Sequence, residues 1–246
     1  MINILVPLAG KSRFFSEAKD GFPKPLVEIL GMPMVQHSLN ALSTSFSGAN
    51  FIFVLAKDDC ERYHLDKTID LILGKKSSFY LQDGQTAGAA CSCLLAIDEI
   101  DNDKPLVVCN PDQKIDIDLT LAIEHFINTK CDAGVITFNA VHPQWSYVRI
   151  GADGVVCEAA EKNPISKNAI AGFYYFRKGS SFVRATQTMI LKDARVNQSF
   201  YIAPCLNELI LDGALISNYP IPAELYHSFY SYDKIKEFEA IANKRV

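Results

Sequence analysis

Candidates for chemistry begin near the start of the chain. The apolar run Ile4 to Leu8 flows into Ala9-Gly10-Lys11-Ser12-Arg13-Phe14, and Phe22-Pro23-Lys24-Pro25-Leu26 follows. A buried strand that ends in a basic, glycine-containing turn brings backbone N–H groups and cations to the carboxyl edge of a sheet. Open α/β sheets bind ligands at that edge. Polyphosphate suits it, because N–H groups and Lys or Arg side chains both solvate phosphate oxygens. Gly10 alone is equally compatible with a surface turn, so the stronger signal is Pro23-Lys24-Pro25. The prolines fix φ on either side of one lysine and restrict the residues that precede them.

A carboxylate forms the second feature. Lys104 to Cys109 is a continuous apolar run, as expected of a central strand buried on both faces, and it ends in Asn110-Pro111-Asp112-Gln113. A carboxylate just past such a strand can hold Mg²⁺, which binds through one or two carboxylates plus substrate phosphates. As a turn residue Asp112 would need no function. Between these features lies Gly84-Gln85-Thr86-Ala87-Gly88-Ala89-Ala90. Thr86 there is expected to cap a helix running to Ile97. Its small residues would admit a ligand to the helix start, or pack it closely on the sheet.

Elements that would position these residues alternate between strand and helix through the first half. Strands are expected at Ile2 to Pro7, Phe51 to Leu55, Ser78 to Leu81 and Lys104 to Cys109. Helices are expected at Pro33 to Ser43, Asp58 to Leu73 and Asp118 to Asn128. Such alternation argues for a three-layer α/β/α sandwich around a mainly parallel, mixed, Rossmann-like sheet. After residue 130 the pattern turns strand-rich, with Ala133 to Ala140, Tyr147 to Ile150, Val155 to Ala159 and Ala171 to Phe176. Helices at Ser180 to Leu191 and Ser199 to Leu211, a strand at Ala214 to Tyr219 and a helix at Tyr232 to Ala242 complete the expectation. No internal repeat or linker interrupts it. We therefore expect one domain over 1–246, with a phosphate-facing half at 1–130 and a strand-rich half at 131–246.

Composition narrows the function classes. A net charge of −4 gives no bulk attraction to nucleic acid or anionic membrane, so any anion site must be a local concentration of cations. No apolar run approaches the ~20 residues of a membrane helix. The apolar start MINILVPLAG, without a basic leader, reads as a strand and not as a signal peptide, so the chain is expected in the cytoplasm. The 7 cysteines are odd in number and scattered, and we expect reduced core thiols. A homo-oligomer is compatible with the sequence.

Taken in order, these motifs resemble the nucleoside-triphosphate sugar nucleotidyltransferases, the nucleotidyl transferase family, with a glycosyltransferase-A-like fold. Pro7-Leu8-Ala9-Gly10 with Lys11, Arg13 and Phe14 looks like the family's glycine-rich nucleotide loop. Phe22-Pro23-Lys24-Pro25-Leu26 and Gly31-Met32-Pro33-Met34 look like its Pro-Lys segment and following turn. Glu158-Ala159-Ala160-Glu161-Lys162-Asn163-Pro164 and Ala171-Gly172-Phe173-Tyr174-Tyr175-Phe176 resemble its acceptor block.

The resemblance implies roles, with 1–130 as the nucleotide-binding half and 131–246 as the acceptor-binding half. Leu8, Ala9, Gly10, Lys11, Gln82, Gly88 and Ala89 would contact the nucleotide, with Lys24, Arg13 and Lys162 as the catalytic cations. Asp112 would bind Mg²⁺. Trp145, Tyr147, Glu161, Gly172 and Tyr174 would bind the acceptor, with Tyr175 and Tyr201 among the neighbouring aromatics. Core packing is the competing account of each aromatic. The chain departs from the family pattern in three places. Gly10-Lys11-Ser12-Arg13 is one residue shorter than the family's loop. The stretch Tyr226 to Ser231, where a late metal-binding aspartate should stand, has no carboxylate. The Gly-Thr-Pro usual before the last helix is also absent. The metal is then expected on Asp112 with phosphates and water.

The implied activity is transfer of a nucleoside monophosphate from a nucleoside triphosphate to a sugar phosphate or related small phosphate monoester. Pyrophosphate is released, and the product would serve cell-surface polysaccharide synthesis. A nucleotide-sugar-dependent glycosyltransferase is the alternative enzyme; it would use a D-x-D such as Asp116-Ile117-Asp118 or Asp101-Asn102-Asp103. A non-catalytic nucleotide- or sugar-phosphate-binding relative is the third reading.

Overall fold

The computed structural model describes residues 1–10, 14–15 and 21–243. Thirteen strands occur among them: β1 (Asn3–Pro7), β2 (Glu28–Ile29), β3 (Met32–Pro33), β4 (Asn50–Ala56), β5 (Ser78–Gln82), β6 (Leu106–Cys109), β7 (Gln113–Ile115), β8 (Ala133–Asn139), β9 (Ser146–Ile150), β10 (Val156–Glu161), β11 (Asn168–Phe176), β12 (Ile216–Ile221) and β13 (Tyr226–Ser228). Nine of them form one sheet, in which β10-β9-β11-β6-β1-β4-β5 lie in sequence and β8 bridges β11 and β12. The pairs β6/β1, β1/β4 and β4/β5 are parallel. Antiparallel β11 seams this parallel half to the mixed half. The two stretches expected to serve nucleotide and acceptor therefore share a continuous sheet.

Period-two alternation drives the layering. Ile4, Val6 and Leu8 project into one apolar cluster with Val35, Leu39 and Phe126. Leu5 and Ala9 project into the other, with Ala90, Phe182 and Leu206. Both faces of β1 are buried, and burying a Leu, Ile or Phe side chain stabilises by roughly 1.5–3 kcal/mol. Helices Met34–Ser45 and Leu119–Asn128 cover the first face. Helices Gly179–Leu191 and Cys205–Leu211 cover the second. The expected α/β sandwich, with its mixed and mostly parallel sheet, is present. Five of the cysteines are buried, and all are unpaired thiols. Among the described residues no helix is long and apolar enough to cross a membrane.

Three expected helices differ. The segment expected at Asp58 to Leu73 is two helices, Lys57–Tyr63 and Leu65–Leu73, because His64 adopts a left-handed φ of 53°. The helix expected from Thr86 begins at Ala89, since Gly88 has φ 138° and ψ 172°, and it breaks into short turns. Thr86 does not cap it; its hydroxyl donates to the Gly88 carbonyl at 3.0 Å. The helix expected from Ser199 starts only at Cys205. Phe200 instead pairs its backbone with the Gly88 loop, accepting from Ala90 N–H and donating to the Ala87 carbonyl.

Two small ribbons went unforeseen. Strands β2 and β3 pair across Leu30 and Gly31, both at positive φ, as a type I′ turn requires. Strands β7 and β13 pair antiparallel, with Ser228 opposite Gln113.

Candidate active site

Parallel pairing of β1 with β6, with Leu5 opposite Val108, sets their carboxyl ends side by side. Leu8 and Gly10 thereby come beside Asn110 and Asp112 along one cavity of about 420 Å³. Lys24 enters the same cavity from a short turn of 3₁₀ helix, Lys24–Leu26. Pro23 before it is extended, with φ −66° and ψ 155°, and the Leu26 N–H closes the turn on the Pro23 carbonyl at 2.9 Å. The ammonium of Lys24 sits 2.5 Å from Asp112 Oδ2, with the two side chains 19% and 24% exposed.

The second group of site residues arrives from the mixed half. Strand β9 opens on Ser146 and β10 closes on Glu161, and the two residues are register partners. The Ser146 hydroxyl donates to the Glu161 carboxylate, and burial pushes the Glu161 carboxyl above its usual range. The next residue, Lys162, has a left-handed φ of 55° and donates its backbone N–H to the Trp145 carbonyl at 3.0 Å. Its ammonium donates to the Tyr201 hydroxyl at 2.5 Å and lies 4.4 Å from that ring's centroid.

Gly172 joins the two halves. It lies at φ 57°, inside a register shift of β11 between Ile170 and Tyr174. Its carbonyl accepts from Asn110 N–H at 2.9 Å and from Gln113 Nε2 at 3.0 Å. A side chain there would overlap the Gln113 and Asn110 side chains. A bulge of this kind re-aims a strand beside a site.

Most of the sequence-predicted residues therefore meet at one cavity: Leu8, Gly10, Lys24, Ala89 and Asp112, with Trp145, Glu161, Lys162, Gly172 and Tyr174. Others do not line it. Tyr147 is fully buried, its hydroxyl donating to the His142 carbonyl at 2.6 Å, so packing and not an acceptor accounts for it. Tyr175 stacks on Phe126 in the core. Ala9 packs into the second cluster. Gln82 is buried; its amide donates to the Gly84 carbonyl and its oxygen accepts from Ser92, so it holds the loop from within. Gly88 sits hard against the Phe200 backbone, where any Cβ would overlap it. Lys11 and Arg13 lie outside the described residues.

Asn110, Ser146, Tyr226 and Ser228, to which residue type and spacing assign no role, also line the cavity. Asn110 and Ser146 are immediate neighbours of residues already singled out. Tyr226 and Ser228 belong to β13, a stretch whose sequence signal is the lack of a carboxylate. That strand does lie beside Asp112, whose carbonyl accepts from Phe229 N–H at 2.8 Å. The β13 residues that share the cavity with Asp112 are Tyr226 and Ser228, hydroxyl-bearing and not carboxylates. Among the described residues no cluster of three or more His, Cys, Asp or Glu is poised for a metal. Asp112 still suits Mg²⁺, which takes few protein oxygens when substrate phosphates supply the rest.

The fold and cavity define an α/β protein with a site at the carboxyl ends of its parallel strands. Residues 20–201 match the family model described as "Nucleotidyl transferase", and the chain belongs to that family. It is 25% identical over 180 residues to the bifunctional protein GlmU of Methanocaldococcus jannaschii, covering 72% of this chain and 40% of that protein's length. Its fold is similar to that of a nucleoside-diphosphate-sugar pyrophosphorylase from Vibrio cholerae RC9, with TM-score 0.83, 24% identity, and 96% and 99% of the two chains covered. A UDP-glucose pyrophosphorylase complexed with UDP-glucose shares the fold at TM-score 0.78, 19% identity and full coverage of both chains.

Proposed function

We propose that the protein transfers a nucleoside monophosphate from a nucleoside triphosphate to a small phosphate monoester, a sugar phosphate first among them, and releases pyrophosphate. The observation that carries this reading is one cavity holding two lysines from different halves of the fold, Lys24 beside Asp112 and Lys162 beside Glu161. Two anionic substrates need two cationic receptors. The family membership and the similarity to proteins described as nucleotide-sugar pyrophosphorylases support it.

An oxygen of the acceptor phosphate attacks the α-phosphorus, a new P–O bond forms, and the bond to the bridging oxygen of the β-phosphate breaks. The electron pair leaves with pyrophosphate. The phosphate nucleophile is already ionised near neutral pH, so no side chain need act as a general base. Catalysis then rests on positioning and charge neutralisation. Lys24 would turn from Asp112 to the phosphates of the triphosphate, and Lys162 would receive the acceptor phosphate. Glu161 would accept from an acceptor hydroxyl, with Trp145 and Tyr174 as apolar walls. Leu8, Gly10 and Ala89 would contact the nucleotide, with Lys11 and Arg13 as further cations for its phosphates. Asp112 would hold Mg²⁺, which supplies neutralisation of phosphate charge when bound.

The glycosyltransferase reading has less support. Asp116 pairs with Lys114 at 3.0 Å, Asp118 caps a helix through Thr120, and Asp103 pairs with Lys178. None of these lines the cavity. Assays of pyrophosphate release across nucleoside triphosphates and sugar phosphates test the proposal. Release of a nucleoside diphosphate from a nucleotide sugar would favour the glycosyltransferase. Calorimetric nucleotide binding without turnover on any acceptor would favour a binding protein. Activated sugars for polysaccharide are the expected use of the product.

A further inference from the structure

The segment between the helices Gly179–Leu191 and Cys205–Leu211 is an unusual piece of backbone. Asp193, Asn197 and Gln198 all adopt left-handed φ without being glycine, at 51°, 47° and 64°. Such residues persist where the surroundings over-determine them. Here Val196 and Ser199 exchange backbone hydrogen bonds at 3.0 Å. The next residue, Phe200, brackets the Gly88 loop through the Ala87 carbonyl at 2.8 Å and the Ala90 N–H at 3.1 Å. Tyr201 follows directly and accepts from the Lys162 ammonium. Lys162 is thus fixed at both ends, its backbone by Trp145 and its head by Tyr201.

Resting on the nucleotidyl-transfer reading, we propose that Tyr201 is the positioning residue for Lys162. It acts through the ammonium and not on the reacting atoms. A free lysine samples many rotamers, and confining it costs entropy at the moment of binding. Tyr201 imposes that confinement beforehand, so the acceptor phosphate meets a cation already in place. Because Phe200 clamps the Gly88 loop, the position of this cation is tied to the nucleotide side of the cavity.

The test uses the full chain with Tyr201→Phe, which keeps the ring and removes the hydroxyl. Competitive amine labelling with acetic anhydride, read peptide by peptide by mass spectrometry, measures Lys162 without any need for turnover. We expect Lys162 to label about tenfold faster, the order expected for loss of one hydrogen bond to a charged group, with the other lysines unchanged. An unchanged Lys162 rate overturns the proposal, as does a rise shared by the lysines at large, which would mark a structural role. Steady-state kinetics with glucose 1-phosphate and UTP as probes supply the second arm. The KM for glucose 1-phosphate should rise about tenfold with the KM for UTP unchanged. Both KM values rising together overturns the proposal. Wild-type protein that releases no pyrophosphate with any pair sinks the nucleotidyl-transfer reading, while labelling still decides the role of Tyr201.

Discussion

Lys24 Nζ and Asp112 Oδ2 stand 2.5 Å apart although 88 residues separate them in the chain. The cation proposed for the nucleotide's phosphates and the anion proposed for its metal are therefore ion-pair partners. In the proposed reaction Lys24 would exchange Asp112 for phosphate, and a cation on Asp112 would favour that exchange.

Lys24→Ala should lower pyrophosphate release by about 10²–10³-fold, the usual effect of removing one preorganised electrostatic contact. Its fold should survive. The pair is partly exposed, and exposed ion pairs contribute about 0.2–1 kcal/mol. The melting temperature should therefore fall by no more than about 4 °C. Near-normal turnover would remove Lys24 from the site.

Asp112→Asn should uncouple metal from nucleotide. It frees Lys24 and removes a carboxylate that opposes phosphate. Metal-free nucleoside triphosphate should then bind severalfold more tightly than to the wild type, while Mg²⁺ should no longer strengthen binding. Calorimetric titrations in chelator and in Mg²⁺ measure both effects. An Mg²⁺ enhancement equal to that of the wild type would place the metal elsewhere.

Glu161 links stability to pH. Burial raises its carboxyl pKa, so the folded state holds the proton more tightly than the unfolded chain. The resulting stabilisation is present below the unfolded value, near 4.5, and is lost as pH rises through the higher folded value. Glu161→Gln removes that titration. Its melting temperature relative to wild type should climb from pH 4 to pH 8, while the KM for the acceptor rises roughly tenfold. A flat difference across that range would contradict the linkage.

Gly172→Ala tests the joint between the halves. Its φ of 57° and the crowding by Gln113 and Asn110 both oppose a side chain. A loss of about 1–3 kcal/mol is expected in denaturant unfolding. The same variant should bind acceptor and nucleotide more weakly, because Asn110 and Gln113 hang from the Gly172 carbonyl. Gly154, with nothing within 4 Å of its added Cβ but a φ of +80°, offers a comparison in which backbone strain acts without crowding.

Local patterning was enough to define the layers and to single out the charged residues. The unbroken apolar run through Ile4, Leu5 and Val6 marked a strand buried on both faces, and the prolines around Lys24 marked a stiffened mount for that cation. These are local properties of spacing and backbone restriction, readable without knowing any neighbour. Boundaries failed where a distant partner outweighed local periodicity: Ser199 to Pro204 reads as helix, but Phe200 gives its backbone to the Gly88 loop. Tyr147 has the same aromatic character as Trp145, and both pack on one apolar cluster. Tyr147 lies within β9 and is fully buried, whereas Trp145 precedes the strand and stays half-buried on the cavity. The meeting of Lys24 with Asp112 and of Lys162 with Tyr201, and the arrival of Ser228 at the same cavity, emerge only in three dimensions. Those meetings follow from strand order and register, set by burial summed over the whole sheet. No single stretch of residues encodes that sum.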